Sequence, residues 1–388
     1  NLEMAINSFA PGSQIVKDKA LHTVTGLVAW RRERMEILPQ DGRGYIRNVF
    51  SCPCGYIELT KDVHESFTCP VCGKSKQTIT TFTPLGFCVN FKATPQNYNG
   101  GGDWVAQNYT TQLEFKTEDT NFDKIPETSL GIYSNTSAQI YLLNDNAGDL
   151  FEFAEDKNSK CWVVPSIHNN QKGDNADYDV NQVQKAGLLA SRTTGVLCIR
   201  LIEHPDLLDL DPMKPAVRSA YISMGYLLRK AACNYLDIDL GELNVDYRVV
   251  LSNQGSQKAV GELFLSDTLE NGSGFCDFLF HNASHLKKEL LDVFNTDKSE
   301  SGLKKLFDTH GCFLACYDCI KDYSNLYYHE YLNWRLGLDM IYLAQNSSCF
   351  IGFNLPHWKG LIRRYFPSVT DFSLPIAIKQ SKTVIVHP

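Results

Sequence analysis

The sequence predicts an α+β protein in which a β-rich first part is followed by a mixed α/β second part, each carrying a cluster of cysteines. Three observations lead there. Before residue 168 short apolar runs are separated by Gly, Pro, Asn and Asp, the pattern of strands and turns. From 166 to 179 the chain is polar and turn-rich, which marks a boundary and sets the expected domains at 1–168 and 180–388. Beyond it, apolar residues recur at three and four positions, as on a helix with one buried face.

In the first part, strands are expected over Thr23 to Trp30, Thr78 to Phe82, Gln112 to Phe115 and Gln139 to Leu143. Ile140 to Leu143, the turn-forming Asn144 to Gly148, and Leu150 to Phe153 read as a hairpin. The glycine-rich stretch from Asn97 to Gly102 reads as a loop; no Gly-Lys-Ser/Thr follows it, so it is not a phosphate cradle. In the second part Val196 to Ile202 is a strand, and Pro215 opens a helix at its first turn. Val217, Ala220, Tyr221, Met224, Leu227, Leu228, Ala231 and Tyr235 form that helix's buried stripe. Tyr247 to Leu251 and Val260 to Ser266 are expected to pair. Helices near 284–295 and 300–308 follow, with a last one from Tyr328 to Leu343. No internal repeat is apparent.

Composition narrows the function classes. With 43% hydrophobic residues in 388, the chain can bury one large core or two ordinary ones. Thirty-seven basic and 44 acidic residues leave a net charge of −7, so no global basic field draws the chain to nucleic acid, and any such contact is local. No apolar run is long enough to span a bilayer and no signal peptide is recognisable, so a cytoplasmic protein without membrane contact is expected. Thirteen cysteines, an odd number with seven in two clusters, suit metal-bound thiolates in a reducing compartment better than a disulfide framework. The chain starts on asparagine and ends on an apolar run before His387-Pro388, so both ends are expected to be cut from something longer.

The first cluster pairs Cys52-Pro-Cys54-Gly55 with Cys69-Pro-Val-Cys72-Gly73. Two close pairs on facing turns suit four-coordinate zinc, and glycine after each pair allows the turn that folds amides around thiolates. The first gap is one residue shorter than usual, which leaves His64 as an alternative to Cys52. A zinc ribbon is therefore expected at about 47–80. His64-Glu65 before Cys69 has the wrong order and spacing for a zinc deaminase, and four thiolates would close the metal to substrate. The second cluster, a knuckle at 312–319, has Cys312, Cys316 and Cys319. Its fourth ligand is expected to be Cys276, after Gly272 and Gly274, with His329 as the alternative. Cys233, Cys88 and Cys349 have apolar neighbours and read as buried thiols. Both sites read as structural zinc, and no catalytic residue is expected.

The run Cys312, Cys316, Cys319, Tyr323, Asn325, His329, Leu332 and Arg335-Leu336-Gly337-Leu338-Asp339 resembles the zinc-binding C-terminal region of MrfA-type superfamily-2 DEAD/DEAH-box helicases. Leu265, Asp267-Thr268, Asn271-Gly272, Gly274 and Cys276 resemble the glycine-rich segment preceding those cysteines. Weaker matches are Ala10 to Ser13, Pro84 to Phe87, Asn144-Asp145 and His387-Pro388. The resemblance covers most of the chain and is nearest to the large helicases of the antiphage systems Druantia and DISARM. It implies an ATP-driven helicase or translocase acting on DNA, with this region following the motor domains. The chain itself has no Walker motif, DEAD/DEAH box or arginine-finger motif. It is expected to be the accessory C-terminal part of such a motor, with the motor domains and other defence subunits as partners.

Aromatic residues beside cations nominate contacts to DNA, with single strands the form that stacking suits: Trp30 with Arg31, Arg32 and Arg34, and Trp358 with Lys359, Arg363 and Arg364. Lys287-Lys288 and Lys304-Lys305 read as solvated helix faces. A protein-interaction scaffold for a defence complex is the alternative reading, and a zinc hydrolase is disfavoured because no histidine and carboxylate set surrounds an open metal position.

Overall fold

A computed structural model describes residues 2–61, 66–98, 100, 110–113, 122–171, 175–205, 208–252, 258–295, 303, 310–346, 351 and 355–365. The protein is α+β, built on a large and mostly antiparallel sheet. Its axis is the strand Gln184–Leu201, which pairs along most of its length with Leu130–Asn144. On the other side Val196 to Ile199 pair with Lys258–Asp267, which in turn pairs over its whole length with Leu243–Ser252. Near its start the axial strand also takes Ile79–Thr83 in parallel, and through it Tyr45–Ser51 and Ile57–Thr60. Strands from both sides of the polar 166–179 segment thus share one sheet. No helix among the described residues is long and apolar enough to cross a membrane.

The long helix starts at Pro215 and runs to Leu236, where Asp237 turns it off in the left-handed conformation. It is buried on nearly every side because it lies between the sheet and the helix Trp334–Gln345. Gly225 faces Val245, where a β-carbon would come within 2.6 Å of a valine methyl, and one at Gly337 would come within 2.9 Å of the backbone of Ser223. The contacts on both faces of this helix therefore require glycine.

Three expectations change. Ile140 to Phe153 is not a hairpin: Asn144 lies opposite Leu188, and Phe151 opposite Ala186, so the chain resumes in the same direction along the same partner. Positive φ at Asn146, Ala147, Gly148 and Leu150 makes this excursion possible. The last long helix begins at Trp334 rather than Tyr328, because Asn333 caps it by accepting from the amides of Arg335 and Leu336, while Tyr323–Tyr328 forms a 3-10 turn. The expected 284–295 helix is broken into short α, π and 3-10 pieces. The 300–308 expectation lies outside the described residues except Leu303, as do residues 99, 101 and 102 of the 97–102 loop.

Inside the sheet sits an unusual amount of charge. Glu262 is fully buried and accepts from Arg200 Nε at 2.8 Å and Arg248 Nε at 2.7 Å, one neighbour on each flanking strand. Asp267, also fully buried, accepts from the amides of Ser273 (2.8 Å), Gly274 (2.7 Å) and Cys276 (3.1 Å). It thereby folds the glycine-rich loop back onto the sheet, and positive φ at Asn271, Gly272 and Gly274 lets three amides converge on one carboxylate. Removing the charge between two buried guanidiniums leaves them uncompensated, so Glu262→Gln is expected to cost about 3–5 kcal/mol of stability. The urea unfolding midpoint measures it; a loss below about 1 kcal/mol would show that the triad is not essential to the sheet.

Candidate metal centres

Among the described residues two groups of four metal-ligating side chains come together, each with all ligand atoms within 4.8 Å of one another. The first is Cys52, Cys54, Cys69 and Cys72, as the spacing predicts. Cys52 Sγ lies 3.4 Å from Cys72 Sγ, and Cys54 Sγ 3.6 Å from Cys69 Sγ. Tetrahedral zinc at its usual bond length would hold sulfurs about 3.8 Å apart, so the set fits the ion with little movement. The short Cys52-x-Cys54 gap is no obstacle. Cys52 N donates to Tyr56 O and Gly55 N to Cys52 O, both at 2.9 Å, while across the site Cys69 N donates to Lys74 O and Gly73 N to Cys69 O, also at 2.9 Å. Gly55 and Gly73 have φ of 95° and 71°, the left-handed turn anticipated for them. Burial pushes the Cys52 and Cys54 thiols up. Such thiols hold their protons in the absence of metal and lose them to solvent when a bound cation takes the sulfur lone pair. His64 lies outside the described residues.

The second group is His310, Cys312, Cys316 and Cys319. His310 Nε2 lies 2.9 Å from Cys312 Sγ and 3.4 Å from Cys316 Sγ, and Cys312 Sγ lies 3.8 Å from Cys319 Sγ. The Cys316 amide donates to Cys319 Sγ at 3.0 Å. The histidine ring stands edge-on to Trp334, whose indole donates to Cys312 O. Burial raises the Cys312 and Cys319 thiols, and it lowers His310, which favours the neutral imidazole that a metal needs.

The structure places the expected fourth ligands elsewhere. Cys276 is fully buried beneath the glycine-rich loop, its thiol pushed up by burial and by Asp267, and it is no member of the cluster. His329 Nε2 sits 2.9 Å from Asn325 Oδ1 and 3.1 Å from the Asp322 carbonyl, where it braces the turn after the knuckle. Cys233 is a buried thiol raised to about 11 by burial, Cys88 lies in a separate small core with Cys161, and Cys349 is outside the described residues. Sequence reasoning missed His310, although His310-x-Cys312 was a visible signal.

Cations surround the second group. Lys230, from the long helix, donates to Asp318 O at 3.0 Å and Cys319 O at 2.8 Å. Arg335 donates to Cys312 O at 3.0 Å and Phe313 O at 2.8 Å. Three thiolates, a neutral histidine and a divalent ion carry a net charge of −1, which these two side chains offset.

The two nominated nucleic-acid clusters part company. Ala29–Glu33 and Glu36–Gln40 form a two-stranded ribbon of their own, exposed at every residue from 30 to 41. Trp30 is 50% exposed and is followed along the ribbon by exposed Arg31, Arg32 and Arg34, with Arg31 paired to Glu33 at 3.2 Å. Trp358 is only 3% exposed: its indole donates to both oxygens of Asp339 (3.1 and 3.0 Å), which also meets His357 Nε2 at 2.8 Å. It docks the helix Pro356–Tyr365 and offers no stacking face; Lys359, Arg363 and Arg364 remain on the exposed side.

The purified chain is expected to carry two equivalents of zinc by elemental analysis. His310→Ala should lower this toward one, while Cys276→Ser should leave it at two. Loss of zinc from the Cys276 variant with retention in the His310 variant would reverse the assignment.

No family model matches the sequence, and no curated protein matches it. Among solved structures the chain is similar to the DUF1998 helicase MrfA bound to DNA, at 12% identity and a TM-score of 0.31 over 64% of this chain and 30% of that one. It is similar also to the same helicase bound to DNA and AMPPNP, at 10% identity and a TM-score of 0.27 over 74% of this chain and 29% of that one. The chain thus spans less than a third of the helicases it matches. Likeness at these TM-scores is too distant to fix a fold or a site; the helicase is of the type that the cysteine run resembles.

Proposed function

We propose that this chain is the accessory C-terminal region of a cytoplasmic DNA helicase or translocase of the antiphage type, held by two structural zinc ions, and that it guides DNA beside a motor it does not itself carry. The observation that carries this reading is the exposed 29–40 ribbon. A two-stranded ribbon has no core of its own, and natural surfaces seldom leave a tryptophan on such an element among three arginines without a use. Flat side chains beside cations serve single-stranded DNA by stacking on bases and pairing with phosphates. The cysteine run and its resemblance supply the motor context. Both metal sites have four protein donors and no open position, so they support structure rather than hydrolysis.

A second reading has one observation in its favour: Met35, Ile37 and Leu38 are also exposed on the ribbon, as on a protein-docking element of a defence complex. Binding to a labelled single strand across a salt series separates the two. Three phosphate contacts through Arg31, Arg32 and Arg34 should contribute a log–log slope of about −2, which the triple alanine variant loses along with affinity. Binding that is absent, or flat with salt and indifferent to the three arginines, would favour the scaffold. The chain alone should not turn over ATP; motor-like turnover would overturn the proposal.

A further inference from the structure

A solvent-open cleft of about 360 Å³ lies beside the hairpin of Gln14–Lys17 and Ala20–Leu27. Its size falls within the roughly 300–1,000 Å³ usual for ligand sites. Three segments wall it: the start of the second hairpin strand, the turn at 89–96, and Asn170-Gln171 after the short helix Pro165–His168. Hydrogen bonds fix them to one another. Asn90 Oδ1 accepts from the Lys92 amide at 3.1 Å, and Asn90 Nδ2 donates to the His168 carbonyl at 3.4 Å. The Ala93 amide donates to Asn90 O at 3.0 Å, while Gln96 and Asn97 pair with Leu21 and Ala20. A cleft whose walls are already tied together loses little order when it is filled.

The lining sets what enters. Four carboxamides, Asn90, Gln96, Asn170 and Gln171, share the walls with Thr23 and Thr94, and no carboxylate, lysine or arginine is among the lining residues. Gln171 Nε2 is shut off from solvent with no hydrogen-bond partner among the described residues, so it calls for an acceptor. Such walls suit an uncharged group that carries donors and acceptors together, and they offer nothing to hold a carboxylate, an ammonium or a metal ion.

The rim has the opposite character. The tight turn Asp18-Lys19, with φ of 52° and 61°, brings Lys17 and Lys19 to the end of the hairpin, exposed and without an ion pair among the described residues. Lys92 is exposed on the turn that forms the other wall, and Asp18 is the one acidic residue in 14–23 and 89–98. Each side of this cationic rim also has an aromatic ring: Phe91, 70% exposed, precedes Lys92, and Tyr98, 41% exposed, donates its amide to Lys19 O at 2.9 Å. A ligand that is neutral and rich in hydrogen-bonding edges where it enters, and anionic where it leaves, has the chemistry of a nucleotide. Flat faces beside the lysines extend the match to its neighbours in a strand.

We propose that this cleft receives one unpaired base of single-stranded DNA, with Lys17, Lys19 and Lys92 on the flanking phosphates and Phe91 and Tyr98 beside the adjoining bases. The inference rests on the DNA-binding reading above and adds a second site with its own cations. The strand Ala20–Leu27 links the two, with the cleft at its start and the arginine ribbon following its end.

The test uses the full zinc-loaded chain and a labelled oligothymidylate carrying one photoreactive thiothymidine. On irradiation the thiobase should crosslink to peptides holding residues 21–23, 89–96 or 170–171 as well as to the ribbon. Thr94→Trp, at an exposed position where an indole would fill the cleft, should abolish the cleft crosslink and weaken binding about tenfold by anisotropy, while an abasic strand binds as before. Lys17→Ala with Lys19→Ala should reduce the log–log salt slope by about 1.4. Crosslinks confined to the ribbon, or unchanged affinity in both variants, overturn the cleft site and leave the ribbon contact standing. Binding of thymidine monophosphate with no cleft crosslink from the strand would assign the site to a free nucleotide and overturn the strand reading. Absence of any DNA binding by the unaltered chain overturns both contacts.

Discussion

A carboxylate buried between two guanidiniums sets the register on which the rest of the molecule depends. Arg200, Glu262 and Arg248 stand on three adjacent strands at matching positions. A slip of one residue would turn any of them to the opposite face and strand the other two in the core, at a cost of several kcal/mol. With register fixed, Asp267 arrives five residues later at the end of its strand, where it gathers the amides of the glycine-rich loop. Arg192 and Thr194 on the axial strand hold the same loop: Arg192 donates to the carbonyls of Asp267 and Thr268, and Thr194 to those of Asp267 and Leu269. The sheet also seats the long helix, whose Gly225 needs the groove beside Val245. That helix then presents Arg229 to Asp322 and Lys230 to the knuckle carbonyls. Geometry at the second metal group is therefore inherited from charge pairing inside the sheet.

The two metal groups solve one electrostatic problem differently. Four thiolates around a divalent ion leave a charge of −2, and the first group answers with backbone amides: those of Cys54, Tyr56 and Lys74 donate to the sulfurs of Cys52, Cys54 and Cys72. Three thiolates and a histidine leave −1, and the second group recruits Lys230 and Arg335. Amide dipoles suit a ribbon, which has only its own backbone to offer. Side-chain cations suit a knuckle packed against two helices, and they couple metal occupancy to helix packing. Arg335 carries this further, since its Nε donates to His357 O and so reaches the final described helix.

Cysteine spacing was legible because ligand geometry demands tight turns, and turns leave local marks such as Gly55 and Gly73. Pro215, the pairing of Tyr247 to Leu251 with Val260 to Ser266 and the buried stripe of the long helix were legible for the same reason: each is set by local rules. What stayed hidden depends on partners distant in sequence. Cys276 follows a glycine pattern that looks like a ligand turn, yet the pattern serves Asp267, whose role appears only once three amides are seen to converge. His310 is the exception: only Gly311 separates it from Cys312, so this ligand was local and was passed over for the glycine pattern before Cys276. Trp358 sits beside exposed cations in sequence, but its helix directs it inward to Asp339. The 144–150 segment has the composition of a reversal, and only the pairing of both flanking strands with 184–201 shows that the chain goes straight on.

A chain of net charge −7 has no general attraction for DNA, and the ribbon's Arg31, Arg32 and Arg34 are partly offset by Glu33 and Glu36. Contacts of this kind are weak when isolated. Under the proposed function tethering would strengthen them, because a strand already held beside the chain would meet the ribbon at a high effective concentration. Weakness then becomes useful: a guide that gripped tightly would hold back a moving strand, whereas modest stacking and a few phosphate contacts allow it to pass. A small exposed ribbon on a fold braced by two sets of metal-ligating side chains suits that requirement.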